Sequence, residues 1–251
     1  MVMKRIFILL MVTVLTAPVM ADEVWRDETL KYAMYLGPIK AGEASLATKN
    51  LTRDGKKVVQ MDLIARTTNT VDKIFSLNDT LTTIVDPRNA APVYFRKHCF
   101  EEDDIVFETV NFTALPDGRC TAAMRKIYKN GRVKECNETA DAQIYDMISV
   151  VGFARSIDTG ALYKGKKFSF KLADACDIID ETLIFQGKET VKISGRKYNC
   201  NVYRLVEPYV EKGKKKERDI LSIYVNDDPQ RTIIQMVINF KVGSAKVKII
   251  R

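Results

Sequence analysis

Lys167-Phe168-Ser169-Phe170-Lys171-Leu172-Ala173 alternates without a break. Phe168, Phe170 and Leu172 fall on one side, and Lys167, Ser169 and Lys171 on the other. Successive side chains of a strand point to opposite faces, so a period of two marks a half-buried antiparallel strand. Leu221, Ile223 and Val225 repeat the pattern. Thr232–Val242 extends it, with Ile234, Met236, Ile238, Phe240 and Val242 expected to share a face.

The same test places earlier strands at Leu30–Leu36, Glu43–Leu51, Val58–Thr67, Thr80–Val85, Val93–Phe100, Ile105–Leu115, Cys120–Tyr128 and Arg132–Glu138. Turn dipeptides separate them: Gly37-Pro38, Asp54-Gly55, Asp117-Gly118, Asn130-Gly131 and, later, Gly187-Lys188. Asp-Gly and Asn-Gly tolerate the positive φ of a tight hairpin turn, so the order reads as a meander. One segment breaks the period. From Asp141 to Ile157, Ile144, Ile148, Val151 and Ala154 recur every three or four residues, which predicts an amphipathic helix with Thr139 or Asp141 as its cap. Gly152 weakens it. A shorter helix is expected at Thr70–Leu77. The expected fold is mainly β: antiparallel meanders forming a curved sheet, sandwich or partial barrel, with one central amphipathic helix packed on it.

The amino terminus reads as a cleavable signal peptide over residues 1–21. Lys4 and Arg5 precede an apolar run from Ile6 to Leu15, and Val19 and Ala21 are small enough for a signal peptidase. Asp22-Glu23 follows too soon for a membrane span, which needs about 20 apolar residues to cross roughly 30 Å. Residues 22–251 then form a single β-rich domain of two meander halves joined by the helix at 141–157, expected in the periplasm without a membrane span. Without Lys4 and Arg5, 38 basic residues face 32 acidic ones, a net charge of +6. These charges are interspersed along strands, which argues against nucleic acid as a partner.

The hairpin Tyr35-Leu36-Gly37-Pro38-Ile39-Lys40-Ala41-Gly42-Glu43-Ala44 resembles the opening of the domain-of-unknown-function 3108 family of exported bacterial proteins. Asp86-Pro87 before Pro92-Val93-Tyr94-Phe95, the helix ending Gly152-Phe153-Ala154-Arg155, and Gly243-Ser244-Ala245-Lys246-Val247 extend the resemblance over residues 24–251. Asp227-Asp228-Pro229-Gln230 departs from the family's pattern, which has a Leu-Pro step in the late strand. The resemblance implies a periplasmic β-rich domain and carries no activity and no catalytic residues.

The residues name no reaction and no cofactor. His98 is the only histidine, so His-Glu-x-x-His zinc sites are excluded, and no Gly-x-Ser-x-Gly elbow exists. His98 and Cys99 are adjacent in a strand and must face opposite ways, which rules them out as a dyad. The acidic clusters Glu101-Glu102-Asp103-Asp104 and Asn226-Asp227-Asp228 lack the spacing of a calcium loop and read as solvated turns. A hydrolase built from carboxylates such as Asp62 or Glu108 is the weakest reading, for which no spacing argues. Trp25 reads as a packing plug or a ligand contact.

Five cysteines remain: Cys99, Cys120, Cys136, Cys176 and Cys200. If Asn130-Gly131 is a two-residue turn, Cys136 lies opposite Arg125. Cys120 is then offset from it by five residues, about 17 Å, beyond the roughly 7 Å reach of a disulfide. Asp117-Gly118 places Cys120 against Leu115, and a loop at 101–104 places Cys99 against Val106. At most one disulfide is expected, Cys176–Cys200 first among its forms, with no Cys120–Cys136 bridge.

The basic run Lys212-Gly213-Lys214-Lys215-Lys216-Glu217-Arg218 is expected to cap a hairpin between Val202–Val206 and Leu221–Val225. Lys212, Lys214, Lys215, Lys216 and Arg218 are the candidate contacts for an anionic lipid head group. Apolar strand faces with little convergent polar chemistry favour a non-enzymatic envelope protein that binds an apolar or amphipathic ligand. The alternative is a structural or assembly factor that presents a surface to another envelope protein.

Overall fold

Among the described residues, hydrogen-bonded neighbours follow chain order almost throughout a single sheet of 15 strands. The structure, a computed structural model, describes residues 21–68, 71, 76–101, 104–174 and 176–250. The expected signal peptide (save Ala21) and most of the expected Thr70–Leu77 helix lie outside the described residues. After one helical turn, α1 (Ala21–Val24), the first meander comprises β1 (Glu28–Leu36), β2 (Ile39–Arg53), β3 (Lys56–Thr67), β4 (Asn78–Val85), β5 (Pro92–Glu101), β6 (Asp104–Ala114), β7 (Cys120–Ile127) and β8 (Val133–Ala140). A two-residue strand, β9 (Ile144–Tyr145), and the helix α2 (Ser149–Ser156) follow. The second meander is β10 (Lys167–Asp174), β11 (Asp177–Ile193), β12 (Arg196–Glu211), β13 (Lys214–Asn226), β14 (Ile233–Asn239) and β15 (Ser244–Ile250). Strand β15 returns to pair antiparallel with β1, and β9 pairs parallel with β10.

The sheet curls into a nearly closed barrel-like shell whose free edges are β8 and β9. No ladder joins those edges among the described residues. They are clasped by the three-residue link from Ala140 to Ile144 and by a disulfide between Cys136 on β8 and Cys176 in the β10–β11 turn, Cα atoms 5.7 Å apart.

This pairing corrects the expected Cys176–Cys200 bridge, and the reason is register. Gly118 and Gly131 have positive φ, but Asp117 and Asn130 do not. Each connection is therefore a three-residue loop, closed by Leu115 N–H to Arg119 O at 2.8 Å and by Tyr128 N–H to Arg132 O at 2.9 Å. Cys120 then pairs with Ala114 rather than Leu115, and Cys136 with Met124 rather than Arg125. A one-residue slip turns a side chain to the other face. It sends Cys136 inward beside buried Met124, on the side from which Cys176 approaches. Cys120 and Cys136 stay apart, as expected, and Cys99 does oppose Val106. Two-residue turns do occur at Asp54-Gly55, where both residues have positive φ, and at Ser194-Gly195 and Lys212-Gly213.

Helix α2 is shorter than the expected 141–157 segment. Ile144 and Tyr145 are drawn into the sheet, and neither Thr139 nor Asp141 caps the helix. Asp146 does so: its carboxylate Oδ1 accepts from the N–H groups of Ile148 and Ser149 at 2.9 Å, while Ser149 Oγ accepts from Asp146 N–H at 2.8 Å. The second carboxylate oxygen accepts from Thr83 Oγ1 on β4 at 2.7 Å, which ties the cap to the wall. Burial raises the Asp146 carboxyl above its usual range, and these hydrogen bonds oppose that shift.

The helix does not lay one stripe on a sheet. Ser149, Val150, Val151, Gly152, Ala154 and Arg155 are all buried, because the sheet wraps around it. Trp25, Met61 and the rings of Tyr145, Phe153, Phe168 and Phe170 fill the space beside it. Gly152 is closely packed here: a Cβ would stand 2.7 Å from Met61 Cε and 3.1 Å from Trp25, so those side chains would have to shift.

Two further expectations change. Gly187-Lys188 is no turn: it lies inside β11, where Gly187 forms a bulge opposite β12. Strand β11 escaped the alternation test because Leu183, Ile184 and Phe185 are buried in succession. Phe240 and Val242 do not continue the inner face of β14. They belong to the β14–β15 turn, 55% and 91% exposed.

Candidate functional site

The residues singled out from sequence do not converge. Asp62 on β3 accepts hydrogen bonds from Thr82 and Gln60, both 2.8 Å, and Glu108 is buried on β6. Strands β4 and β5 separate them, three strand spacings or about 14 Å. His98 lies edge-on to Phe107, ring centroids 6.0 Å apart, while Cys99 is buried on the opposite face. Among the described residues, no three His, Cys, Asp or Glu side chains gather as a metal site. Asp227 is occupied by Lys188 and by Asn201, the latter at 2.9 Å, which holds its carboxyl below the usual range. Trp25 is a plug: 2% exposed, its indole N–H donates to Pro87 O at 2.9 Å.

The basic run does cap the β12–β13 hairpin, at the Lys212-Gly213 turn. Lys216 pairs with Glu211 and Arg218 with Glu207 across the ladder, while Lys212, Lys214 and Lys215 are exposed.

The feature that sequence reading passed over lies on the outer face of β15, β1, β2 and β3. The ladders align Ile250, Lys31, Ser45 and Ile64 in one row across these four strands. Their neighbours alternate inward: Tyr32, Ala44 and Ala65 are buried. A groove of about 500 Å³ runs over the outer row, with Ser45 as a low floor between Ile64 and Ile250 and with Lys31 and Arg66 on its flanks. Both isoleucines are part-exposed, 36% and 41%. A second cavity of about 410 Å³ shares Ile250 and is bordered by Tyr35, Lys40, Lys192 and Lys248. Lys248 Nζ stands 5.3 Å from the centroid of the Tyr35 ring. The one carboxylate bordering the groove, Glu43, is hydrogen-bonded by Lys40 at 2.6 Å, which keeps its carboxyl below the usual range. The sequence did carry a signal. In Gln60, Asp62, Ile64 and Arg66, an isoleucine occupies a position whose alternation calls for a polar side chain.

Such a groove offers an apolar bed a few side chains wide, rimmed by cations. No curated protein matches the chain. Among solved structures, the fold is similar to a β-barrel-like protein of domain of unknown function DUF1849 from Brucella abortus, with a TM-score of 0.50 and 14% identity. That match covers 89% of this chain and 95% of the other, and it speaks to the fold alone. The family model described as "Protein of unknown function (DUF3108)" matches residues 31–250, nearly the whole chain, so the chain belongs to the DUF3108 family.

Proposed function

We propose that this chain is an exported, non-enzymatic binding module of the cell envelope. After loss of residues 1–21 it resides in the periplasm and holds an amphipathic ligand with an anionic head in the groove over β15, β1, β2 and β3. The observation that carries this reading is the row Ile250–Lys31–Ser45–Ile64. Two part-exposed isoleucines give an apolar chain something to cover, and Lys31 and Arg66 stand where a negatively charged head would lie. The helix and its aromatic neighbours occupy the barrel interior, which favours the outer face for a ligand.

Native mass spectrometry of protein taken from the periplasm tests the reading, with anilinonaphthalene sulfonate as an added anionic amphipath. The wild type is expected to carry or take up an amphipath, and Ser45→Trp, which fills the groove floor, to lose it with little change in melting. Neither a bound mass nor dye uptake by the wild type, or equal uptake by Ser45→Trp, would sink the groove. Amino-terminal sequencing of the same material should begin at Asp22. A retained Met1 would remove the export reading.

A further inference from the structure

Three lysines from three parts of the chain border one cavity. Lys248 on β15 faces Ala33 of β1, and Lys40 on β2 faces Tyr35 of β1. The third, Lys192, comes from the β11–β12 hairpin, which turns at Ser194-Gly195 with both residues at positive φ. Ile193 and Tyr198 of this hairpin are buried in the core cluster, which seats it. The cavity of about 410 Å³ that shares Ile250 with the groove is lined by Tyr35, Lys40, Lys192, Ser194 and Lys248.

The charges there do not cancel. Lys40 donates to Glu43 at 2.6 Å, but Glu43 borders the groove, and among the described residues no carboxylate lines the cavity. Lys192 and Lys248 take part in no ion pair among the described residues; Lys248 stands instead 5.3 Å from the centroid of the Tyr35 ring. Lys192 faces a further lysine, Lys197, across its hairpin, and Thr190 to Asn199 include no acidic residue. Like charges opposed across a ladder cost stability, and this tip has no carboxylate of its own to offset them. Lys40, Lys192 and Lys248 against the single Glu43 leave the cavity two positive charges in excess.

We propose that this cavity is a binding site for the phosphate group of a phosphate monoester. Such a group carries about −1.5 to −2 charges at pH 7 and three acceptor oxygens, which match the excess. An ammonium group is a point charge with three rotatable donors, suited to phosphate oxygens, and the hydroxyls of Tyr35 and Ser194 supply further donors. A carboxylate would leave one of the two charges unanswered. The monoester is either a soluble molecule or the head of a lipid whose chain passes Ile250 into the groove. The site does not require the groove to be filled.

Isothermal titration at low salt with glycerol 3-phosphate, and separately with dihexanoyl phosphatidic acid, is the experiment. The wild type is expected to bind glycerol 3-phosphate, more weakly as salt rises. Lys192→Gln and Lys248→Gln should each weaken binding about 10-fold, the loss of one charge-assisted hydrogen bond. Lys214→Gln with Lys215→Gln removes charge from the distant β12–β13 hairpin and should leave binding unchanged, as should Ser45→Trp. Tighter binding of phosphatidic acid that Ser45→Trp abolishes identifies a lipid head; equal affinities identify a soluble monoester. Lys192 is exposed at a turn, so its variant should melt with the wild type and keeps the test valid even where Lys248→Gln melts lower. No binding of either monoester, unaltered binding by Lys192→Gln, or an equal loss in the β12–β13 variant would overturn the site. Dye uptake in the groove that persists through any of these results would leave the amphipath reading standing, so the two fail separately.

Discussion

Arg155, on the helix enclosed by the sheet, donates from Nη2 to the Glu28 carboxylate on β1, and its side chain is 1% exposed. The same nitrogen donates to Gln230 O at 3.1 Å, while Nε and Nη1 meet no acceptor. The other oxygen of Glu28 accepts from Arg26 at 2.6 Å. Among the described residues, the two other guanidinium nitrogens find no acceptor, so this buried cation leans on its one carboxylate, and the pair ties the helix to the first strand and to the β13–β14 connection.

Glu28→Gln should therefore destabilise the protein by about 3–5 kcal/mol, because it leaves the guanidinium buried without a counter-charge. Replacing Arg155 with Met in the same chain should restore much of the loss. Urea denaturation of the two variants checks this; a single variant with the wild-type midpoint would show that the pair anchors nothing.

The helix itself offers a second test. Gly152→Ala ordinarily strengthens a helix, but here the methyl meets Met61 and Trp25. A loss of about 1–3 kcal/mol is expected from overpacking. Ile148→Ala, which removes a 5% exposed side chain, should cost about 2–5 kcal/mol. Unchanged denaturation midpoints for both would mean that the helix does not fill the shell.

The disulfide Cys136–Cys176 closes a loop across the open seam, with a sequence separation of 40. Its removal by Cys136→Ser should cost about 4 kcal/mol in the chain-entropy account. Thiol titration of the denatured, unreduced wild type should find three sulfhydryls, those of Cys99, Cys120 and Cys200. A mapped Cys176–Cys200 bridge would disprove the clasp.

Glu181 on β11 supplies the pH dependence. Burial pushes its carboxyl up to about 8, the nearby Glu207 charge adds to the shift, and Arg218 opposes it. The folded chain thus holds a proton that the unfolded chain gives up near the ordinary glutamate value. Its stabilising contribution is present below that value and is lost as pH rises toward about 8. Denaturation midpoints measured from mildly acidic to mildly alkaline pH should fall for the wild type. Glu181→Gln should flatten the slope, and an unaltered slope would show that Glu181 is not its source.

Much of the fold was legible in the chain because strand alternation is a local property. Lys167–Ala173 and Leu221–Val225 need only their own side chains to declare two faces, and Asp54-Gly55 needs only its own φ preferences to make a turn. The family's opening hairpin at Tyr35–Ala44 is local in the same sense. What sequence alone misjudged depended on counts or contacts that a window cannot hold. Whether Asn130-Gly131 forms a two- or three-residue loop depends on the φ of Asn130, yet it turned Cys136 inward and decided the disulfide. Gly152 read as a weak point in a helix, and only Met61 and Trp25, distant in sequence, give it a close-packing role. The groove was the least legible feature: Ile250, Lys31, Ser45 and Ile64 come from four strands and share one row only after β15 closes on β1. Period-two patterning is encoded residue by residue, whereas a row across a sheet exists only once loop closure has set every register between.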